Sequence, residues 1–82
     1  MTCNAFELTT IDIECVLLSH SERMINTHGL SIVRLAEELF DEIDHERIEQ
    51  AALAASTDTD AQTNAAFAEI KDNLVELGVL EF

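Results

Sequence analysis

Residues 31–44, SIVRLAEELFDEID, decide the fold class of this chain. Ser31 is a favourable N-cap residue, and Leu30 before it can pack on Leu35 as a hydrophobic staple. The apolar residues after the cap recur at the spacing of one helix face: Ile32, Leu35, Ala36, Leu39, Phe40 and Ile43. The pattern predicts an amphipathic helix that begins after Ser31 and packs its leucine side into a core.

The periodicity slips at the end of this stretch, because the next apolar residue after Ile43 is Ile48. Asp44 is a good N-cap at the slip, and Ile43 with Ile48 repeats the staple spacing. We therefore expect a kink or a short turn at Asp44, followed by a third, alanine-rich helix that runs to about Ala55.

The rest of the 82-residue chain also favours helices, because it contains no proline and only Gly29 and Gly78. A first helical segment is predicted from Thr9 or Thr10 to His28, with Gly29 after it. A fourth helix, at about 61–77, is predicted to end at Gly78, and Val79 could then meet Leu74. The prediction is one all-α domain over residues 1–82, with about four short helices in a compact orthogonal or bundle-like arrangement. A short β-ribbon between the chain ends, 4–8 and 79–82, is compatible with this pattern.

The first helical segment is apolar on two sides. One side carries Leu8, Ile11, Cys15, Leu18 and Ile25, and nearly the opposite side carries Ile13, Leu17 and Met24. We interpret Cys15 as a small core hydrophobe. A helix of this kind is central or contacts a second subunit, so a homodimer, as a self-associating structural protein without a ligand, is one alternative.

The charge is strongly negative and unevenly distributed. The formal net charge is −13, and seven of the seventeen acidic residues lie at 37–49, where Arg47 is the only Lys or Arg. Such a surface attracts basic proteins and repels nucleic acids and anionic membranes. We therefore expect a basic protein partner, no direct nucleic-acid binding and no membrane binding.

If the leucine side of the second helix packs into the core, its acidic residues must lie on the opposite, outward side. Packing that side leaves an outward arc on which Arg34 can pair with Glu37 or Glu38. The predicted partner-binding residues are Glu37, Glu38, Asp41 and Glu42 on the second helix and Glu46 and Glu49 on the third. Acids one turn apart are spaced about 5–6 Å at Cβ, on the scale of successive phosphates, which permits mimicry of a nucleic acid. The alternative is a solvated face that only keeps the domain soluble.

One family resemblance rests on Gly29-Leu30-Ser31-Ile32 and the acidic helix that ends Phe40-Asp41-Glu42-Ile43. These residues resemble the acyl carrier proteins, which are small acidic four-helix domains that carry phosphopantetheine on a serine at the start of an acidic second helix. The resemblance implies modification of Ser31. It covers about fifteen residues, and Leu30 stands where that family normally has Asp or His. An N-cap role explains Ser31 without a prosthetic group.

No residue pattern predicts a catalytic, cofactor or metal site. Asp58, Asp60, Gln62 and Glu69 partly follow a calcium-loop spacing, but Thr63 stands where that loop needs glycine. His20, His28 and His45 lack metal-ligand spacing and suit surface or cap positions. Two cysteines, and no run of about 18 apolar residues, favour a reduced cytoplasm. The predicted function is a non-catalytic inhibitor, antagonist or adaptor, by analogy with small accessory regulators of bacteria and phages.

Overall fold

The computed structural model describes residues 7–27, 29–55 and 58–81. These residues form four α-helices, α1 (Thr10–Ser19), α2 (Ile32–Glu42), α3 (His45–Ala55) and α4 (Thr59–Glu76), with a 3₁₀ turn at Ser21–Arg23. The helices pack chiefly as two pairs, α1 with α2 and α3 with α4, and α1 also contacts α4. The prediction of an all-α fold with about four helices is confirmed. No helix in the described ranges is both long and apolar enough to cross a membrane.

Leucine and isoleucine side chains from all four helices form the core. The helix positions that are at most 1% exposed include Ile13, Leu17, Leu35, Leu39, Ile48, Ile70 and Leu74. Val79 and Leu80, which follow α4, are also 1% exposed and belong to the same cluster. The C-terminal segment is therefore part of the core.

The first helix is shorter than predicted. It ends at Ser19, where the His20 ring nitrogen Nδ1 lies 2.9 Å from the carbonyl oxygen of Val16. The chain then leaves the helical path, and Met24 forms an isolated antiparallel bridge with Leu80. Backbone hydrogen bonds join Ile25 N–H to Val79 O (2.9 Å) and Glu81 N–H to Arg23 O (2.7 Å). These long-range partners satisfy the Ile25 N–H and the Arg23 carbonyl oxygen, which have left the helix.

The C-terminal segment thus pairs with residues 23–25. The sequence allowed a ribbon between 4–8 and 79–82, of which residues 4–6 and 82 lie outside the described residues. In the described part, Leu80 bridges Met24 and not residues 7–8, so the ribbon is not formed there as predicted. Gly29 does not terminate a helix either. It lies in a turn closed by the hydrogen bond from Leu30 N–H to Thr27 O (2.9 Å), where its φ of 75° favours glycine.

Only one apolar side of α1 enters the core. Ile13, Val16 and Leu17 are buried, whereas Ile11 and Leu18 are 65% and 61% exposed. Cys15 is also exposed, so its prediction as a core residue is wrong. We call Ile11, Cys15 and Leu18 the apolar stripe, because their i, i+4, i+7 spacing places them along one side of α1.

The boundary between α2 and α3 is where the sequence predicts it. The Ser31 hydroxyl accepts a hydrogen bond from Arg34 N–H (3.4 Å) at the start of α2, and an Asp44 carboxylate oxygen accepts one from Arg47 N–H (3.1 Å) at the start of α3. The His45 ring hydrogen-bonds to the carbonyl oxygen of Phe40 and contacts the Phe40 ring edge-on. His20 and His45 therefore cap helix ends, as predicted, and His28 lies outside the described residues.

The end of α4 is also as predicted, whereas its start differs. Gly78, with φ 84°, donates to Val75 O (3.1 Å), and Val79 N–H donates to Leu74 O (3.0 Å), which are the two hydrogen bonds of a Schellman motif. The helix begins at Thr59 with Asp58 as N-cap, about two residues before the predicted start. Gln62, in the first turn of α4, is buried at 6% exposure.

Candidate protein-interaction surface

The way α2 packs exposes four of the six predicted partner-binding residues. Leu35, Ala36 and Leu39 are buried against the rest of the core. The outward side of the helix is acidic and exposed, and we call it the acidic face: Glu37, Glu38, Asp41 and Glu42. Because the leucine side of α2 is buried, its opposite side presents four carboxylates to solvent on a packed helix.

Little positive charge offsets the acidic face. Arg34 Nε lies 3.6 Å from a Glu37 carboxylate oxygen, as the sequence permits, and both side chains are mostly exposed. No residue in the described ranges forms an ion pair with Glu38, Asp41 or Glu42. An exposed pair such as Arg34–Glu37 is worth little, so the face keeps most of its negative charge.

Arg47, the only Lys or Arg at 37–49, directs its side chain to α4. Its Nε donates to Glu69 (2.7 Å), and its two terminal nitrogens donate to the two carboxylate oxygens of Glu76 (3.1 and 3.0 Å). The hydrogen bond from Arg47 lowers the pKa of Glu76, and the same contact raises the pKa of Arg47. The only Lys or Arg at 37–49 therefore has its side-chain charge paired with α4 and not with the acidic residues of that stretch.

The two predicted residues on α3 have a different setting. Glu46 is exposed, whereas Glu49 is only half exposed. Since α3 packs on α4 and α2 packs on α1, these glutamates belong to the surface of the other helix pair. The structure brings Glu37, Glu38, Asp41 and Glu42 together on one helix and does not place Glu46 and Glu49 on that helix face.

A small concave site lies at one edge of the acidic face. It has a volume of about 310 Å³, and we call the five residues that line it the acidic groove: Leu30, Leu35, Glu38, Leu39 and Glu42. Leu30 is half-buried, and Leu35 and Leu39 form the floor. The sequence predicts a staple of Leu30 on Leu35 but not the concavity, which depends on the position of Leu30 beside Leu35, Leu39 and the two glutamates.

The remaining candidate sites gain no support from the geometry. The described residues contain no group of three or more His, Cys, Asp or Glu side chains placed to hold a metal ion. Of the residues with calcium-loop spacing, Asp60, Gln62 and Glu69 lie on the continuous helix α4, and Glu69 is bound to Arg47. Ser31 is exposed, and its hydroxyl is the N-cap of α2.

Comparison with known proteins adds no relative. No protein-family model, curated protein sequence or solved structure matches this chain.

Proposed function

We propose that this protein is a non-catalytic interaction module that binds a basic surface of another protein, as an inhibitor, antagonist or adaptor. The observation that carries the proposal is the acidic face, where three carboxylates on a packed helix have no ion-pair partner among the described residues. Such a face raises the encounter rate with a basic partner and rejects acidic ones.

The charge pattern of α2 favours a role in recognition and not in solubility alone. Glu38 and Glu42 are one helical turn apart and carry like charges, an arrangement that costs a few tenths of a kcal/mol in a helix. A solvated face could use lysine at either position without that cost. Partners that themselves bind nucleic acid present the basic surfaces that this spacing fits, so we include them in the proposed class.

Salt dependence and charge reversal test the proposal. We expect the chain to capture a basic protein from cell extract at low salt and to release it at high salt, because exposed charges are screened within about 8 Å at physiological ionic strength. The double variant Glu38→Lys/Asp41→Lys should lower the association rate with that protein.

The matched control is Glu22→Lys/Glu81→Lys, which changes the net charge by the same amount at exposed positions outside α2. Both variants should keep the far-ultraviolet circular dichroism of the parent. Equal effects of the two double variants, or capture that does not respond to salt, would contradict the proposal.

A second candidate is self-association, which the apolar stripe favours. Ile11 and Leu18 are more than 60% exposed on a helix whose other side is in the core. A second copy of the chain could cover both stripes across a two-fold axis, because such an interface uses the same patch twice. This candidate involves a different surface and makes an opposite prediction for salt.

A further inference from the structure

We propose that the acidic groove holds the side chain of one arginine of the basic partner. This inference rests on the proposed function and assigns a specific anchor point within it. The groove volume of about 310 Å³ is at the lower limit of small-molecule pockets and suits one long side chain.

The lining of the groove selects the chemistry of its occupant. Leu30 offers apolar surface beside the buried floor, whereas Glu38 and Glu42 supply two carboxylates. A side chain with an aliphatic stem and a cationic head matches both parts, since the stem covers Leu30 and the head remains among the carboxylates. Among the described lining residues there is no cation, so an anionic occupant would meet only repulsion.

The spacing of the two carboxylates favours arginine over lysine. Residues i and i+4 of a helix are about 5–6 Å apart at Cβ, so Glu38 and Glu42 can approach one planar guanidinium from two sides. Guanidinium presents five N–H donors in a fixed fork, whereas ammonium is a compact, strongly hydrated charge. Both glutamates are exposed, so the free protein does not bear the cost of burying two unpaired charges.

Direct binding tests the groove without knowledge of the partner. The probe is N-acetyl-arginine-N-methylamide, titrated into the intact protein and followed by NMR of the leucine methyl groups. We expect saturable shifts at Leu30, Leu35 and Leu39, with an affinity in the millimolar range typical of one side chain. The citrulline analogue has nearly the same shape and no charge, and it should cause no saturable shift at these methyls.

Paired variants separate a local anchor from general attraction. Glu38→Gln/Glu42→Gln removes the two groove carboxylates, whereas Glu37→Gln/Asp41→Asn removes two charges from the same helix outside the groove lining. The groove variant should weaken both the arginine probe and the captured basic protein by about tenfold or more, since charge-assisted hydrogen bonds are lost. The control should weaken them by less than about threefold, since its exposed charges act through screened solvent.

Two outcomes would overturn the anchor. If the two double variants weaken binding equally, the proposal of a basic partner still holds, but Glu38 and Glu42 do not form a specific arginine site. Equal shifts with arginine and citrulline would show that charge plays no part in the groove. Specific arginine binding without capture of any basic protein would instead support the groove and contradict the proposed function.

Discussion

At the residue scale, Asn73 on α4 binds the backbone at the boundary between α2 and α3. It is one of two buried polar residues in the described ranges, and its side-chain oxygen accepts a hydrogen bond from Asp44 N–H at 2.8 Å. Asp44 has left α2 and caps α3, so its own N–H has no helical acceptor. One amide on α4 therefore ties down the boundary between the second and third helices.

Removal of this amide should destabilise the fold. We expect Asn73→Ala to lower the free energy of unfolding by about 1–3 kcal/mol, because a partly buried N–H loses its acceptor. For a domain of this size that corresponds to roughly 4–8 °C in melting temperature per kcal/mol. Urea and thermal unfolding measure the loss.

The same chain provides the control, because Asn64 is an exposed asparagine on the same helix. Asn64→Ala should leave stability unchanged or raise it slightly, since alanine has the higher helix propensity. A loss at position 64 as large as that at position 73 would show that the Asp44 contact is not the cause.

At the element scale, the helices that local signals define could be predicted and the long-range connections could not. Ser31, Asp44 and Gly78 are caps that act within one turn, and each helix boundary that they predict is confirmed. The end of α1 depends on pairing between residues 23–25 and 79–81, more than fifty positions apart, which periodicity cannot reveal.

The candidate site likewise divides into features that local sequence signals predict and features that depend on long-range packing. The acidic face follows from the period of α2 alone, so its exposure could be predicted from the sequence. The partners of Arg47 on α4 and the concavity beside Leu30 depend on tertiary packing. The exposure of Cys15 shows that a helix with two apolar sides does not indicate which side the core will take.

The link between α3 and α4 through Arg47 predicts a pH dependence. The hydrogen bond from Arg47 lowers the pKa of Glu76 in the folded protein, so the unfolded chain binds a proton at higher pH than the folded one. The contribution of Glu76 to stability is therefore present above the unfolded carboxylate range of about pH 4.3 and is lost as pH falls through the lowered pKa.

Unfolding by urea between pH 7 and pH 3 checks this contribution. The parent should be more stable than Glu76→Gln at neutral pH, and the difference should shrink towards pH 3. It should be small throughout, because the pair is substantially exposed. The control is Glu46→Gln, at an exposed position on α3, and its stability difference from the parent should not shrink in the same way. If the difference between the parent and Glu76→Gln stays constant with pH, the Arg47–Glu76 pair is not its source.

At the scale of the whole molecule, two surfaces compete for the role of interface. The acidic face and the apolar stripe lie on α2 and α1, which pack against each other. The net charge of −13 opposes contact between two copies and favours contact with a basic protein. Salt therefore acts in opposite directions, because it screens the repulsion between copies and also the attraction to a basic partner.

The apolar stripe can support only a weak dimer. Covering Ile11 and Leu18 of both copies gains roughly 4–8 kcal/mol, if full burial of such a side chain is worth about 1.5–3 kcal/mol and the two side chains are 65% and 61% exposed. Association costs about 4–15 kcal/mol in lost freedom of motion. We therefore expect any dimer to form only at high protein concentration and to become more populated as salt increases.

Sedimentation equilibrium at low and high salt measures this balance. Ile11→Gln/Leu18→Gln should keep the chain monomeric at concentrations and salt levels where the parent begins to associate. Val33→Gln/Leu53→Gln removes two similarly exposed apolar side chains from α2 and α3 and should associate as the parent does, since these residues lie off the stripe. A parent that stays monomeric at high salt and millimolar concentration would exclude the stripe as a dimer interface, because screening would then have removed the repulsion without revealing any apolar attraction.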